Sequence, residues 1–290
     1  MSTQPGGRIA MDAPAKVNLY LHVVGRRSDG YHLLDTLMVF TALGDRVEVA
    51  PSDTLSLTSD GPFADRLPAD ADDNLVLRAA RALAEAAGVE PKAQIRLTKN
   101  LPVSAGLGSG SSDAAATLKA LARLWGIPDG AVDLPALALT LGADVPACLR
   151  AESVFVGGIG EALTPTPRLP KTDILLVNPG VQLVTGSVFE ARRGGFNPEA
   201  RFKKSPENVR ALAELLEDRC NDLSDAATRL LPVVSEMLRT IEASPGCRLA
   251  RMSGSGATCF GLFDDADTAK RAREALRARD WWCAVTQFGG

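Results

Sequence analysis

Residues 102–117 read PVSAGLGSGSSDAAAT, three glycines and four serines set between two segments of opposite character. Before them AQIRLTK, 93–99, alternates apolar and polar residues as a strand does. After them the pattern turns helical from about Ser111 to Trp125, with Ala114, Leu118, Leu121, Ala122 and Trp125 on one stripe and Gly126 and Pro128 closing it. A helix start has N–H groups without intrahelical partners and carries positive partial charge, so a loop feeding one either wraps an anion or is an elaborate N-cap. The three glycines allow positive φ and close approach of backbone N–H groups, while Ser109, Ser111 and Ser112 offer hydroxyls that bind phosphate or a metal. The loop has no G-x-x-x-x-G-K-[ST] lysine, and glycines at 106, 108 and 110 miss the G-x-G-x-x-G spacing. Neither known cradle fits, and both explanations stand at this point.

The rest of the chain supplies the scaffold. VNLYLHVV, HLLDTLMVF, DRVEVAP and TLSLTS in the first sixty residues alternate as strands, with turn signals at SDGYH and LGD, which predicts a mixed or antiparallel sheet. Residues 73–87 have helical spacing and stop at Gly88. A short helix near 133–141, the segment GADVPACL, and strands in SVFVGG and EALTP follow. The run TPTPRLPKTD, 164–173, has no periodicity and three prolines, and it divides the chain into domains at 1–165 and 166–290. The second half opens on the strand DILLVNPG, has helical patterns near 206–217 and 232–243, and ends with RLARMSGSG, ATCFGLF, the helix ADTAKRAREALRAR and the strand WCAVTQF. RRGGFNPEARFKKSP, 192–206, is polar and poorly patterned and reads as a mobile loop.

Composition narrows the classes. With 290 residues, 46% hydrophobic and 23% charged, the chain can bury a sizeable core, and its length favours two domains. A net charge of −3 argues against a nucleic-acid partner. No apolar run approaches the ~18 residues of a membrane span and the N-terminal residues lack signal-peptide order, which points to the cytoplasm. Five cysteines without a C-x-x-C pair read as reduced, mostly buried side chains rather than a zinc site or disulfide framework.

Three segments carry a resemblance. PVSAGLGSGSSDA, 102–114, resembles the phosphate-binding motif of the GHMP kinases, PAKVNLYL, 14–21, their first motif, and MSGSGATCF, 252–260, their third. Common members shorten the central loop to G-L-G-S-S-A; here Ser109 and Gly110 lengthen it. That longer loop, with GRRSDGYH at 25–32 and GADVP at 142–146, is similar to the branch whose acceptor is a cytidine-diphosphate-linked methylerythritol of the non-mevalonate isoprenoid route. The resemblance implies an α+β, two-domain GHMP kinase fold: an N-terminal domain of a type shared with a small-subunit ribosomal protein, a ferredoxin-like C-terminal domain, and a site in the cleft between them. It also implies an ATP-dependent, Mg²⁺-assisted small-molecule kinase, monomeric or homodimeric, that phosphorylates the acceptor's 2-hydroxyl.

The resemblance assigns roles residue by residue. Asp144, which alone reads as an N-cap or turn residue, becomes the general base; Lys16, otherwise a solvated strand residue, becomes its electrostatic partner. Pro102, Gly106, Leu107, Gly108, Ser109, Gly110, Ser111 and Ser112 become the triphosphate cradle. Asn18 shares the strand face of Lys16 by two-residue periodicity, and its amide is expected on the substrate hydroxyl or a phosphate oxygen. His32 is expected on the cytosine edge, Tyr31 and Phe189 on its two faces, and Thr185 beside them. Without the resemblance Tyr31 and His32 are a hairpin corner, His22 a packed or rim residue, and SGSG at 253–256 a tight turn. The metal ligands stay unknown, Ser112 being a conceivable one.

Overall fold

The computed structural model describes residues 7–67 and 74–290. Contacts gather them into two compact units, neither contiguous in sequence. The first takes Met1–Ala15, Gly44–Val103 and Gly108–Ala151; the second takes Lys16–Leu43, Ser104–Leu107 and Glu152–Gly290. Strands β1 (Ile9–Arg26) and β2 (His32–Ala50) pair with each other, and each contributes one part to either unit.

In the first unit the end of β2 pairs antiparallel with β4 (Gln94–Thr98), and β4 pairs parallel with β3 (Ser56–Asp60). β4 shows why: Ile95 and Leu97 are buried while Gln94 and Arg96 point to water, the two-residue period of a half-buried strand. Helices α1 (Leu75–Ala87), α2 (Ser109–Leu124), α3 (Leu134–Leu141) and α4 (Val145–Arg150) complete the unit. The side chain of Asn74 caps α1 by accepting from the Val76 amide at 2.9 Å, and Gly88 ends it at φ 65°. The apolar stripe expected on α2 is too narrow a description. Ser109, Ser112, Asp113, Ala114–Ala116, Thr117, Leu118, Ala120 and Leu121 are all buried, because α1 and α4 both pack on it and alanines let them approach closely.

The turn expected at LGD does not form. β2 runs straight through Gly44 and Asp45. A Cβ on Gly44 would lie 2.4 Å from the Ala13 carbonyl oxygen, so glycine is there for close backbone approach rather than for a reversal. Asp45 is buried, its Oδ1 accepting from the amides of Asn100 at 2.6 Å and Leu101 at 2.8 Å.

In the second unit the start of β2 pairs with β5 (Val154–Gly158), and β5 with β6 (Ala162–Pro165), both antiparallel. A separate four-stranded sheet has the order β10-β7-β9-β8, built from β7 (Thr172–Asn178), β8 (Cys247–Met252), β9 (Cys259–Phe263) and β10 (Trp282–Phe288), all neighbours antiparallel. Helices α5 (Thr185–Ala191), α6 (Val209–Glu217), α7 (Ser224–Leu230) and α8 (Val233–Glu242) separate its first two strands and α9 (Ala266–Ala275) its last two. That is the strand order of a ferredoxin-like sheet. Ile174, Leu175, Leu176 and Val177 of β7 are fully buried, as a central strand covered on both faces requires.

Residues 192–206 are not the mobile loop expected from their polarity. The Asn197 amide donates to the Val23 carbonyl at 3.0 Å and its side chain to Asp222 Oδ1 at 2.6 Å. Asp35, fully buried, accepts from the Ala200 amide at 2.8 Å, Arg201 Nε at 2.7 Å and the Tyr20 hydroxyl at 2.8 Å. Polar residues there spend their groups on partners far away in sequence, which composition does not reveal. His22 is packed: Nε2 accepts from the Cys220 amide at 3.3 Å, which assigns the proton to Nδ1, facing the Pro198 carbonyl at 3.0 Å. The cysteines form no disulfide, but only Cys148 and Cys259 are buried; Cys247 and Cys283 are half-buried and Cys220 is exposed. No described helix is long and apolar enough to cross a membrane.

Candidate functional site

The glycine loop belongs to both units in turn. Within the second, the short stretch Ser104–Leu107 is held by backbone: Lys16 N–H donates to the Leu107 carbonyl at 2.9 Å, Thr258 N–H to the Ala105 carbonyl at 3.1 Å, and Ser253 Oγ to the Gly106 carbonyl at 2.9 Å. Gly106 has φ 76°, and a Cβ on it would lie 2.4 Å from the Ser253 carbonyl oxygen and 2.8 Å from that of Gly256. SGSG at 253–256 is thus the wall against which the loop is pressed. Leu107 is fully buried, anchoring the loop by its side chain.

Within the first unit Gly108, at φ 59°, is the N-cap of α2 and supplies no capping side chain. Ser112 N–H closes the first turn on the Gly108 carbonyl at 2.9 Å. The serines do not cap either: Ser109 Oγ donates to the Pro102 carbonyl at 3.4 Å and Ser112 Oγ to the Pro14 carbonyl at 2.6 Å. An elaborate N-cap would turn those hydroxyls to the helix start, and α2 begins without a side-chain cap. Positive φ is confined to Gly106 and Gly108 among the three glycines; Gly110 is helical, and a Cβ there would stand 3.4 Å from Leu75 Cδ1. Pro102 is buried and Ser111 half-buried.

Lys16 and Asn18 share one face of β1, as their spacing predicts. Lys16 Nζ donates to Asn18 Oδ1 at 2.8 Å, and Asn18 Nδ2 donates to Thr36 Oγ1 at 2.9 Å. Asn18 is 1% exposed with both ends of its amide engaged, so it aims the ammonium of Lys16 rather than reaching out itself. Asp144 occupies the N-cap position of α4 without a capping hydrogen bond. Its carboxylate is therefore not spent on the helix end, the duty its neighbours Gly142 and Pro146 would give it.

The remaining candidates lie in the second unit. His32 stacks on Phe189, ring centroids 5.1 Å apart and planes 24° off parallel. Tyr31, expected opposite Phe189, is 63% exposed, and His32 holds that ring face. Thr185 and Phe189 stand one turn apart on α5, and Thr185 Oγ1 shares a 2.9 Å hydrogen bond with Ser255 Oγ, which ties this segment to SGSG. Burial, with the charges of Arg26 and Arg192, holds the His32 imidazole below its ordinary range. Neutral at pH 7, it presents one donor and one acceptor. An NMR titration should find the His32 midpoint below the ~6.5 of a free histidine. Because its folded pKa is depressed, its contribution to stability is present above the unfolded pKa and is lost as pH falls below it.

Sequence comparison decides the family. The profile described as GHMP kinases N terminal domain matches residues 74–152, and that described as GHMP kinases C terminal matches 199–280. A relative from Rhodospirillum rubrum named 4-diphosphocytidyl-2-C-methyl-D-erythritol kinase is 51% identical over 280 residues, 96% of this chain and 92% of its own. The chain belongs to the GHMP kinase family. Its two-domain fold and its class, an ATP-dependent small-molecule kinase, follow from that membership. A relative of the same name from Paramagnetospirillum magneticum is 51% identical over 281 residues, covering 96% of this GHMP kinase and 98% of its own chain. A crystal structure titled 4-(cytidine 5'-diphospho)-2C-methyl-D-erythritol kinase superposes with a TM-score of 0.79 at 40% identity, covering 97% of this chain and 100% of that one. Homoserine kinase from Cytophaga hutchinsonii, at TM-score 0.73 and 20% identity over 100% of this chain and 97% of its own, shares the fold.

Mg²⁺, implied by the resemblance, finds no ready protein cage. Among the described residues no group of three or more His, Cys, Asp or Glu side chains could hold a metal. Ser112 is 2% exposed with its hydroxyl turned to Pro14, which does not suit a ligand. A hard cation that keeps water and phosphate oxygens in its shell needs no such cage.

Proposed function

We propose that this kinase transfers the γ-phosphoryl group of ATP to the 2-hydroxyl of 4-diphosphocytidyl-2-C-methyl-D-erythritol, in the cytoplasm and on the non-mevalonate route to isoprenoids. The observation that carries the phosphoryl chemistry is the uncapped start of α2 behind the left-handed Gly106 and Gly108, which offers backbone amides and a helix dipole to a polyphosphate. The segment 1–165 supplies the ATP-binding parts and 166–290 contributes Thr185 and Phe189 for the acceptor. A cavity of ≈ 620 Å³ in the first unit, lined by Leu57, Ser59, Leu67, Asn74 and Leu77 among others, suits the adenosine half of the nucleotide. The neutral His32, stacked on Phe189, offers its ring nitrogens to the cytosine edge, and Tyr31 offers an aromatic face to the base.

In the reaction Asp144 accepts the proton of the acceptor hydroxyl, and Lys16, held by Asn18, stabilises charge as the phosphoryl group moves. A Mg²⁺ ion bound with the nucleotide would supply neutralisation of phosphate charge. The experiment is an acceptor panel with ATP consumption and ³¹P NMR of the product. Turnover with the cytidylyl compound, giving the 2-phosphate, and none with homoserine or mevalonate is the expected result; turnover with homoserine alone would reject the assignment.

A further inference from the structure

Three ionisable groups lie buried together in the first unit and take no part in the chemistry above. Lys99, just past the end of β4, donates through Nζ to Asp113 Oδ2 at 2.7 Å and to Asp45 Oδ2. Side-chain exposures are 1% for Lys99, 0% for Asp45 and 4% for Asp113. Two carboxylates against one ammonium leave excess negative charge out of water, and Asp113 Oδ1 has no hydrogen-bond partner. Such a cluster is a poor way to gain stability, since well-packed apolar side chains of the same volume do as well or better. Its placement gives another reason for it. Asp45 Oδ1 grips the amides of Asn100 and Leu101, which lead into the glycine loop, and Asn100 Nδ2 donates to the Gly44 carbonyl at 3.0 Å. Asp113 lies in the first turns of α2, the helix that leaves the loop. Both flanks of the loop are thereby fastened to one ammonium.

We infer that Asp45, Lys99 and Asp113 are positioning residues for nucleotide binding, their buried triplet fixing the direction of the amides at the start of α2. The inference rests on the reading of that loop as the ATP cradle. Burial pushes the Asp113 carboxyl above the usual carboxylate range, against the pull of the Lys99 ammonium. An asparagine there keeps an oxygen for Lys99 Nζ; an alanine keeps nothing.

The test compares Asp113→Ala, Asp113→Asn and Asp45→Asn in the whole protein by steady-state kinetics and by the rise in Tm that ATP produces. Asp113→Ala should raise KM for ATP roughly tenfold, as a misdirected binding group does, with kcat and the acceptor KM within about twofold. Asp113→Asn should restore KM for ATP to near the parent value. Asp45→Asn turns an amide N–H toward Lys99 and should raise KM for ATP; it decides the matter if the alanine variant does not fold. An unchanged KM for ATP in Asp45→Asn and Asp113→Ala overturns the inference, as does a joint fall of kcat, both affinities and Tm that asparagine does not rescue. A parent protein whose Tm does not respond to ATP would instead remove the cradle reading itself, and the inference with it.

Discussion

Replacing Gly106 with alanine is expected to cost roughly 3–5 kcal/mol of stability and to abolish the ATP-induced rise in Tm. Two effects add. An L side chain at φ 76° sits in the left-handed region, at about 1–2 kcal/mol. The new Cβ would also lie 2.4 Å from one carbonyl oxygen and 2.8 Å from another, both backbone, so no rotamer relieves the contact. Relief requires the loop and SGSG to part, which breaks the Ser253 Oγ bond to the Gly106 carbonyl. Gly88→Ala is the control: its φ of 65° is similar, but nothing lies within 4 Å of its Cβ, so only the backbone strain remains. Urea unfolding of both variants separates the contributions. Equal losses in the two would mean that the close approach at Gly106 has no energetic weight.

Asp144→Asn is expected to lower kcat by about 10²–10⁴-fold, the range of a removed general base. The ATP-induced Tm shift should persist. The carboxylate makes no capping bond to α4, so the amide deprives the helix of nothing, and the change is isosteric. On the role proposed for it, Lys16→Met should also lower kcat. A turnover within about threefold of the parent for Asp144→Asn would remove it from the proposed base role.

Much of the scaffold was legible because it obeys local rules. The two-residue period of β4, the glycine-terminated α1 and the strand–helix–strand ending all appear in the structure near their expected places. The failures have particular causes. Gly44 and Asp45 carry turn chemistry in their identities but serve packing, and only parity hints at it: Asp45 falls on the face of Val47 and Val49, and Lys99 on that of Ile95 and Leu97, all buried. α5 and α7 span 7 residues each, too short for a helical period to declare itself. Asp35 and Arg201 meet across 166 residues, a contact with no local signature. Residue types and spacing alone left Asp144, Lys16 and His32 as ordinary turn, strand and hairpin-corner residues; the roles proposed for them and for Phe189 came from the resemblance, and the His32–Phe189 stack is what the structure adds.

The interleaved units also bear on how the chain matures. β10, at residues 282–288, pairs with β7 along its whole length, and Thr286 Oγ1 receives the amide of Leu43 from 243 residues earlier. The second unit therefore cannot close on the ribosome until nearly all of it has been translated, and the edge of β7 that receives β10 waits unpaired meanwhile. Such long-range closure makes for slow folding and a nascent chain that depends on protection from aggregation, which predicts that truncation before β10 yields insoluble protein rather than a smaller working domain.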